Sequence, residues 1–441
     1  MSWTKISGFK KDIIHKKTSI ALIGLGYVGL PLAMTFAKKG FNVYGYDVDK
    51  AKIQSLKRRE NYLESEVWMT KVLRKSQTFC PSVDVENSGI HDIIIVAVPT
   101  PADPVTKRPV YDYIESSARA VGANLKKGSL VILESTVGPG TTEGLFRKII
   151  ESVSGLRVGH DFGLGYSPER VNPGDEEHRI ENIPKVVSGI DDASACACAC
   201  IYSQIVPSVY KTPTIKEAEL TKLLENIQRD VNIALVNEFA KICDILDADV
   251  TKVIEAASTK WNFYSVLPGC GVGGHCLPDD PWFLMHELEK KGYTSELIKT
   301  ARKTNDEMPA YTARKVNLLL GGKPNGAKIA ILGLAYKNDS SDVRNTPAKA
   351  IVDEIKNIGY TNLIAHDPYV SKVEWIETDT FENTIKDAEL IIATTSHKCI
   401  KSMSATDLRR LAPQTSVIDG RNMFDKSQFL KMHIKYAGIG R

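Results

Sequence analysis

Residues 18–26, Thr-Ser-Ile-Ala-Leu-Ile-Gly-Leu-Gly, form an apolar, β-branched run that ends in glycines, and this constrains the fold more than any other stretch. The run continues as Gly24-Leu25-Gly26-Tyr27-Val28-Gly29, after which residues 28–39 read as a helix closed by Gly40. Strand, tight turn and helix in that order give the G-x-G-x-x-G spacing a meaning it lacks alone. Gly24 makes the turn, Gly26 lets a pyrophosphate approach, Gly29 admits close helix packing, and the helix N-terminus faces the anion. A second strand over 42–46 ends at Asp47, about 20 residues on, where a carboxylate can bond ribose hydroxyls. A 2′-phosphate would meet Asp47 as a like charge, so the expected cofactor is NAD rather than NADP.

Two more strands, 92–98 and 129–133, are apolar through their interiors, as in a parallel sheet covered on both faces. Val98-Pro99-Thr100-Pro101 falls at the carboxyl end of the first, where ligands sit in such sheets, and Glu134-Ser135-Thr136 follows the second. Residues 215–257 contain neither proline nor glycine and predict one long helix. A second β/α region begins near 328–335, with later strands at 362–366, 389–394 and 416–418, after a Gly-Gly-Lys-Pro-Asn-Gly hinge at 321–326. The expected class is α/β: two Rossmann-like, doubly wound parallel-sheet domains joined by a central helical domain. The boundaries are 1–205, 206–321 and 322–441.

Composition narrows the function. With 43% hydrophobic and 25% charged residues in 441, the chain reads as a soluble globular protein. Its net charge of +4 does not imply nucleic-acid binding. No apolar run reaches the roughly 18 residues needed to cross a bilayer, and residues 1–17 lack a secretory pattern, so a cytoplasmic setting with no membrane partner is expected. There the eight cysteines stay reduced. Cys196, Cys198 and Cys200 lack zinc spacing and read as small core-facing thiols of an alanine-rich helix; no metal is expected.

The chemistry concentrates in Pro268-Gly269-Cys270-Gly271-Val272-Gly273-Gly274-His275-Cys276-Leu277-Pro278-Asp279-Asp280. A glycine-rich loop lets backbone approach a ligand closely, and a thiol downstream of a dinucleotide fingerprint suggests aldehyde chemistry. His275 and Asp280 are polar groups able to tune Cys276, whereas Cys270, between two glycines, suits backbone approach. Lys222 and Asn226 are four apart on the predicted helix and share a face, with Arg229 nearly on it. From the residues alone a solvated helix surface is the competing reading of that trio.

With these pieces in place the chain resembles the UDP-glucose/GDP-mannose dehydrogenase family along nearly its whole length. The resemblance rests on residues 24–33, Glu134-Ser135-Thr136-Val137-Gly138-Pro139-Gly140-Thr141-Thr142, Tyr166-Ser167-Pro168-Glu169-Arg170, residues 219–226, the Cys276 loop and Ser341-Asp342-Val343-Arg344-Asn345-Thr346-Pro347-Ala348, all in the family's order. It implies NAD-dependent oxidation of the C6 alcohol of a nucleotide sugar to a carboxylate, with two hydride transfers. Cys276 would be the nucleophile. Lys222, Asn226 and Asp280 would surround the reacting oxygen, Glu169 would activate water against a thioester, and Thr136 would position that water. The cofactor would lie on Gly24, Gly26, Tyr27, Val28, Gly29, Asp47, Pro99, Thr100, Ser135 and Thr136. A UDP-sugar would meet Glu169, Arg170, Lys222, Asn226, Arg229, Tyr264, Gly273, Lys337 and Arg344. The resemblance also implies an active site between domains and a homodimer or larger homo-oligomer built around the long helix.

Departures narrow the substrate. The UDP-glucose branch usually carries lysine where this chain has Asp279, and Pro-Glu-Phe-Leu where this chain has Pro168-Glu169-Arg170-Val171-Asn172-Pro173-Gly174. The Gly-Val-Gly-Gly-His-Cys-Leu-Pro-x-Asp-Pro form resembles the branch acting on UDP-N-acetylhexosamines, UDP-N-acetylmannosamine and UDP-N-acetylglucosamine among them. UDP-glucose or GDP-mannose oxidation is the alternative, and a non-catalytic nucleotide-sugar-binding protein the remoter one.

Overall fold

The apolar runs become strands whose two faces are both out of water. In the computed structural model, which describes residues 6–63, 66–171, 177–322, 324 and 326–441, β1 (Ser19–Ile23) sends Ile20 and Leu22 into one core and Ala21 and Ile23 into another. Such alternation between two apolar layers is what a strand buried on both faces requires. Part of the 321–326 hinge (323 and 325) and residues 172–174 lie outside the described residues.

The chain divides into two units: Met1–Glu225 with Trp282–Tyr293, and Asn226–Pro281 with Thr294–Arg441. In the first, β1 is followed by β2 (Asn42–Tyr46), β3 (Phe79–Ser82), β4 (Ile93–Val96), β5 (Leu130–Leu133), β6 (Gly163–Tyr166), β7 (Lys185–Gly189) and β8 (Val209–Lys211). Their order in the sheet is β3-β2-β1-β4-β5-β6-β7-β8. The order reverses between β1 and β4, paired from Ile20↔Ile93 to Ile23↔Val96, and the carboxyl ends of these strands form the crevice where doubly wound sheets bind ligands.

All pairings in this sheet are parallel except β6 with β7, joined antiparallel at Gly165↔Gly189 and Tyr166↔Ser188. The sheet is thus parallel as expected, with this one antiparallel join. Helix Asp192–Tyr202 packs directly on this pair: a Cβ on Gly165 would fall 2.2 Å from Cys198 Sγ, and one on Gly189 2.2 Å from Ala195 N. Of the three clustered thiols Cys198 is buried in the core and Cys200, half-buried, packs against it; Cys196 is half-buried.

The second unit holds β9 (Ile329–Leu332), β10 (Leu363–His366), β11 (Glu377–Thr378), β12 (Leu390–Ala393), β13 (Ser416–Asp419) and β14 (Lys435–Gly438), ordered β11-β10-β9-β12-β13-β14 and parallel throughout. Ile329 and Ile331 face one core and Ala330 and Leu332 the other, as in the first sheet.

Two expectations change. The single helix over 215–257 is two, Ile215–Ile245 and Val250–Ala257. Asp247 takes a left-handed backbone (φ 52°), and the Asp249 side chain accepts the Thr251 N–H to start the second helix, so aspartates make the break. The glycine-rich loop, in turn, stops at His275, because Cys276 opens helix Cys276–Glu289. Among the described residues no helix is long and apolar enough to cross a membrane.

Candidate active site

The three fingerprint glycines differ in what a side chain would meet. Gly24 has φ 88°, and a Cβ there would lie 2.5 Å from the Ala97 carbonyl oxygen; a Cβ on Gly29, the first residue of helix Gly29–Lys38, would lie 1.8 Å from the Gly24 carbonyl oxygen. Around Gly26 nothing comes within 4 Å of that position. Turn and packing thus use the outer glycines, and the space over Gly26 fits a pyrophosphate. Tyr27 is exposed beside it, and Val28 caps the helix without a side-chain bond. Asp47, nine-tenths buried at the end of β2, accepts the Leu25 N–H on Oδ2 and the Asp49 N–H on Oδ1, both at 2.9 Å, with Lys52 Nζ 3.5 Å away. These residues fit NAD.

The loops after β4 and β5 are tied together. Thr100 Oγ1 donates to the Thr136 carbonyl and Ser135 Oγ to the Val98 carbonyl, each at 2.7 Å, beside exposed Pro99. The following turn is clamped by Glu219, whose carboxylate accepts the Gly140 N–H (2.5 Å), the Thr142 N–H (3.0 Å) and the Thr142 hydroxyl (2.6 Å). Burial pushes the Glu219 carboxyl up to about 7 against the pull of these donors.

Glu169 lies in a buried ionic cluster in the same unit. Its Oε1 accepts the backbone N–H of Arg170 and of Val171 at 2.6 Å, and its Oε2 lies 3.1 Å from Lys185 Nζ. Lys185 also lies 3.0 Å from Glu134 Oε1, which accepts the Tyr202 hydroxyl. Burial raises the Glu134 carboxyl; Glu169, equally buried, is held below the usual range by the Lys185 charge and the two backbone donors. Arg170 turns its guanidinium to the Pro184 carbonyl (2.9 Å) and to Glu225 (2.9 Å). Lys185 and Tyr202 were not singled out from sequence, and Glu134 entered only as part of the Glu134-Ser135-Thr136 motif. A lysine entering the apolar run Val186-Val187 was the available signal.

In the second unit Asn226 Nδ2 donates to Asp280 Oδ2 at 2.5 Å, both buried. Asp280 stands one turn after Cys276 in helix Cys276–Glu289, and Cys276 Sγ, half-buried, is 3.5 Å from His275 Nε2. Pro281 inside this helix cannot donate to the Leu277 carbonyl, which instead receives Arg302 Nη1 at 3.5 Å. Arg302 is buried and paired to Asp230 and Asp306, so the first turn of the cysteine helix rests on a buried guanidinium.

The glycine loop packs on the segment carrying Lys337 and Arg344. A Cβ on Gly273 would lie 2.5 Å from Tyr336 Cβ, and the Gly274 N–H donates to the Arg344 carbonyl at 3.1 Å. Arg344 forks onto Asp342, with Nε 2.9 Å from Oδ1 and Nη2 2.5 Å from Oδ2. Cys270 is fully buried, and burial raises its thiol, which disfavours the thiolate. Lys222 is half-buried and Arg229 exposed, whereas Asn226 is buried, so Arg229 does not share the surroundings of Asn226. Tyr264 is also exposed, and Lys337 is half-buried.

Sequence models of the UDP-glucose/GDP-mannose dehydrogenase family match the chain as the NAD binding domain over residues 18–214, the central domain over 216–307 and the UDP binding domain over 330–426. Protein CapL of Staphylococcus aureus is 42% identical over 361 residues, 81% of this chain and 83% of its own. The UDP-N-acetyl-D-glucosamine 6-dehydrogenase of Pseudomonas aeruginosa is 37% identical over 91% of this chain and 96% of its own. The solved UDP-D-ManNAc dehydrogenase of Pyrococcus horikoshii superimposes with a TM-score of 0.88 at 34% identity, covering 96% of this chain and 99% of its own. The chain belongs to the UDP-glucose/GDP-mannose dehydrogenase family and is an NAD-dependent nucleotide-sugar 6-dehydrogenase.

Proposed function

We propose that the substrate is a UDP-N-acetylhexosamine, oxidised at C6 to the uronate through covalent intermediates on Cys276. The observation that carries the reading is the buried Asn226–Asp280 bond one helical turn from Cys276. It supplies an amide and a carboxylate next to a thiol at a helix N-terminus, where backbone dipoles favour negative charge on sulfur. NAD, when bound, accepts the hydride in each of the two oxidations.

In the first oxidation the C6 alcohol becomes an aldehyde, and Lys222 and Asn226 stabilise the alkoxide that forms. Cys276 Sγ then adds to C6, and the carbonyl π pair moves to oxygen, giving a thiohemiacetal. Loss of the second hydride leaves a thioester. Water adds to the thioester carbon, Glu169 takes its proton, and the C–S bond breaks to return the thiolate. Thr136 positions that water, and Asp280 holds a water or accepts a proton. Arg170, Arg229, Tyr264, Gly273, Lys337 and Arg344 contact the nucleotide sugar; the Arg344 fork, now on Asp342, suits its pyrophosphate. Holding the aldehyde on sulfur between oxidations keeps a reactive product from escaping, which an alcohol-only dehydrogenase has no need to do.

The acetamido sugar is supported by relatives named for UDP-N-acetylglucosamine and UDP-N-acetylmannosamine. We further propose three domains (1–205, 206–321 and 322–441), a cytoplasmic location, and a homodimer through the long helix. Leu235, Phe239 and Ile242 recur every three or four residues along one side of it, Leu246 follows just past its end, and all four are exposed, an apolar stripe that a second copy would cover.

The test is mass spectrometry of intact Glu169→Gln supplied with NAD and UDP-sugar. A sugar adduct on Cys276 is the expected result, absent when Cys276→Ser is added. An unmodified, fully active Cys276→Ser enzyme would rule the thiol pathway out.

A further inference from the structure

Among the buried charged groups, Lys185 has no part in the reaction just described. It opens β7 and is 2% exposed, with its ammonium 3.0 Å from Glu134 and 3.1 Å from Glu169. Glu134 follows β5 and Glu169 follows β6, so the ends of three strands converge on one nitrogen. Helix Asp192–Tyr202 closes the cluster: the Tyr202 hydroxyl donates to Glu134, and its ring centre is 5.2 Å from the Lys185 nitrogen.

Two carboxylates against one ammonium leave a surplus negative charge among buried groups. Their hydrogen bonds differ. Glu169 takes two backbone N–H groups on Oε1 and the ammonium on Oε2, whereas Oε2 of Glu134 is buried with no donor among the described residues. The anion is therefore better supported on Glu169 and a proton better placed on Glu134.

We propose that Lys185 is a positioning residue for Glu169, bridging the two carboxylates so that Glu169 stays ionised and fixed while Glu134 takes the cluster's proton. This rests on the reading that Glu169 activates the water that cleaves the Cys276 thioester. A carboxylate offers about four lone-pair positions. Three donors occupy Glu169, which leaves one for that water. Without Lys185 the two carboxylates share a proton as a like-charged pair, and Glu169 becomes neutral at pH values where it is now an anion. The other ionisable neighbours are the Tyr202 phenol and Cys198 thiol on the packed helix and Arg170 on the segment of Glu169 itself. Burial raises both the phenol and the thiol, and the Arg170 guanidinium points to Pro184 and Glu225, so none of them replaces the ammonium.

The experiment follows thioester hydrolysis against pH in the full-length enzyme for wild type, Lys185→Met, Lys185→Gln and Glu134→Gln. The lysine variants are expected to move the acid limb of kcat upward by about one pH unit or more, with KM for the UDP-sugar nearly unchanged and the covalent adduct accumulating. Glu134→Gln retains the cation and removes the competing carboxylate, so its acid limb is expected not to move upward; it tests the cluster even if the lysine variants do not fold. A lysine variant that loses rate equally at every pH, or an upward shift in Glu134→Gln, would overturn the proposal. Glu169→Gln separates the two ideas: if it hydrolyses the thioester normally, the role of Glu169 itself is wrong. If it is inactive while the lysine variants keep the wild-type limb, only the role of Lys185 falls.

Discussion

Gly26 and Gly29 lie three residues apart in one motif and make opposite demands. A methyl at Gly29 would lie 1.8 Å from the Gly24 carbonyl oxygen, so the helix must shift, while a methyl at Gly26 meets nothing within 4 Å. Gly29→Ala is expected to cost about 1–3 kcal/mol, as overpacking does, seen as a lower melting temperature without any ligand. Gly26→Ala is expected to melt like wild type and to raise KM for NAD at least about tenfold, a loss of about 1.4 kcal/mol or more. Equal melting temperatures for both variants would show that the two glycines do not divide the work this way. The motif was legible in the sequence because glycine spacing reports backbone geometry directly. The Lys185 cluster was not, since its members come from the ends of three strands and one helix, and no spacing along the chain joins them.

At the scale of elements, Glu219 on helix Ile215–Ile245 holds the turn that follows Ser135 and Thr136. Its carboxyl is raised to about 7 by burial. An acid whose folded pKa exceeds its unfolded value of about 4.3 binds its proton more tightly in the native state. The stability it contributes is complete below about pH 4 and lost as pH rises through about 7. Calorimetry is expected to show the wild-type melting temperature falling more steeply between about pH 5 and 8 than that of Glu219→Gln, which has no charge to bury; parallel slopes would contradict the raised carboxyl. Helix limits were the harder part to read. Neither proline nor glycine marks the break after Ile245, because Asp247 adopts the left-handed backbone and Asp249 caps the next helix. The loop expected through Asp280 is helical from Cys276 on: Pro278 sits in the first turn, which tolerates it, and Arg302 takes the carbonyl that Pro281 leaves free.

At the scale of the whole molecule, the two sheets share one device and use it differently. Gly24 (φ 88°) and Gly333 (φ 96°) each turn the chain after a first strand, and the next residue, Leu25 or Leu334, donates its N–H to a carboxylate at the end of the neighbouring strand, Asp47 or Asp367. Asp367 is already filled by four backbone N–H groups and His397 Nε2, whereas Asp47 takes two backbone donors. Asp47 therefore keeps spare lone pairs for ribose hydroxyls, whereas Asp367 does not. Sequence showed both α/β regions through their apolar strands, but not the antiparallel join of β6 and β7, whose short glycine-containing strands carry no sign of direction. The stripe of Leu235, Phe239, Ile242 and Leu246 is exposed and apolar, a face that a second copy would cover. Light scattering is expected to give a dimer mass for wild type and a monomer mass for Phe239→Glu; a wild-type monomer would remove the proposed interface.

A four-electron oxidation on a thiol is read out by the NADH formed per sugar consumed. UDP-N-acetylmannosamine, UDP-N-acetylglucosamine, UDP-N-acetylgalactosamine and UDP-glucose would be offered separately. Two NADH per sugar are expected on an acetamido substrate, with the uronate as product. One NADH per sugar, with the aldehyde released, would contradict the four-electron oxidation.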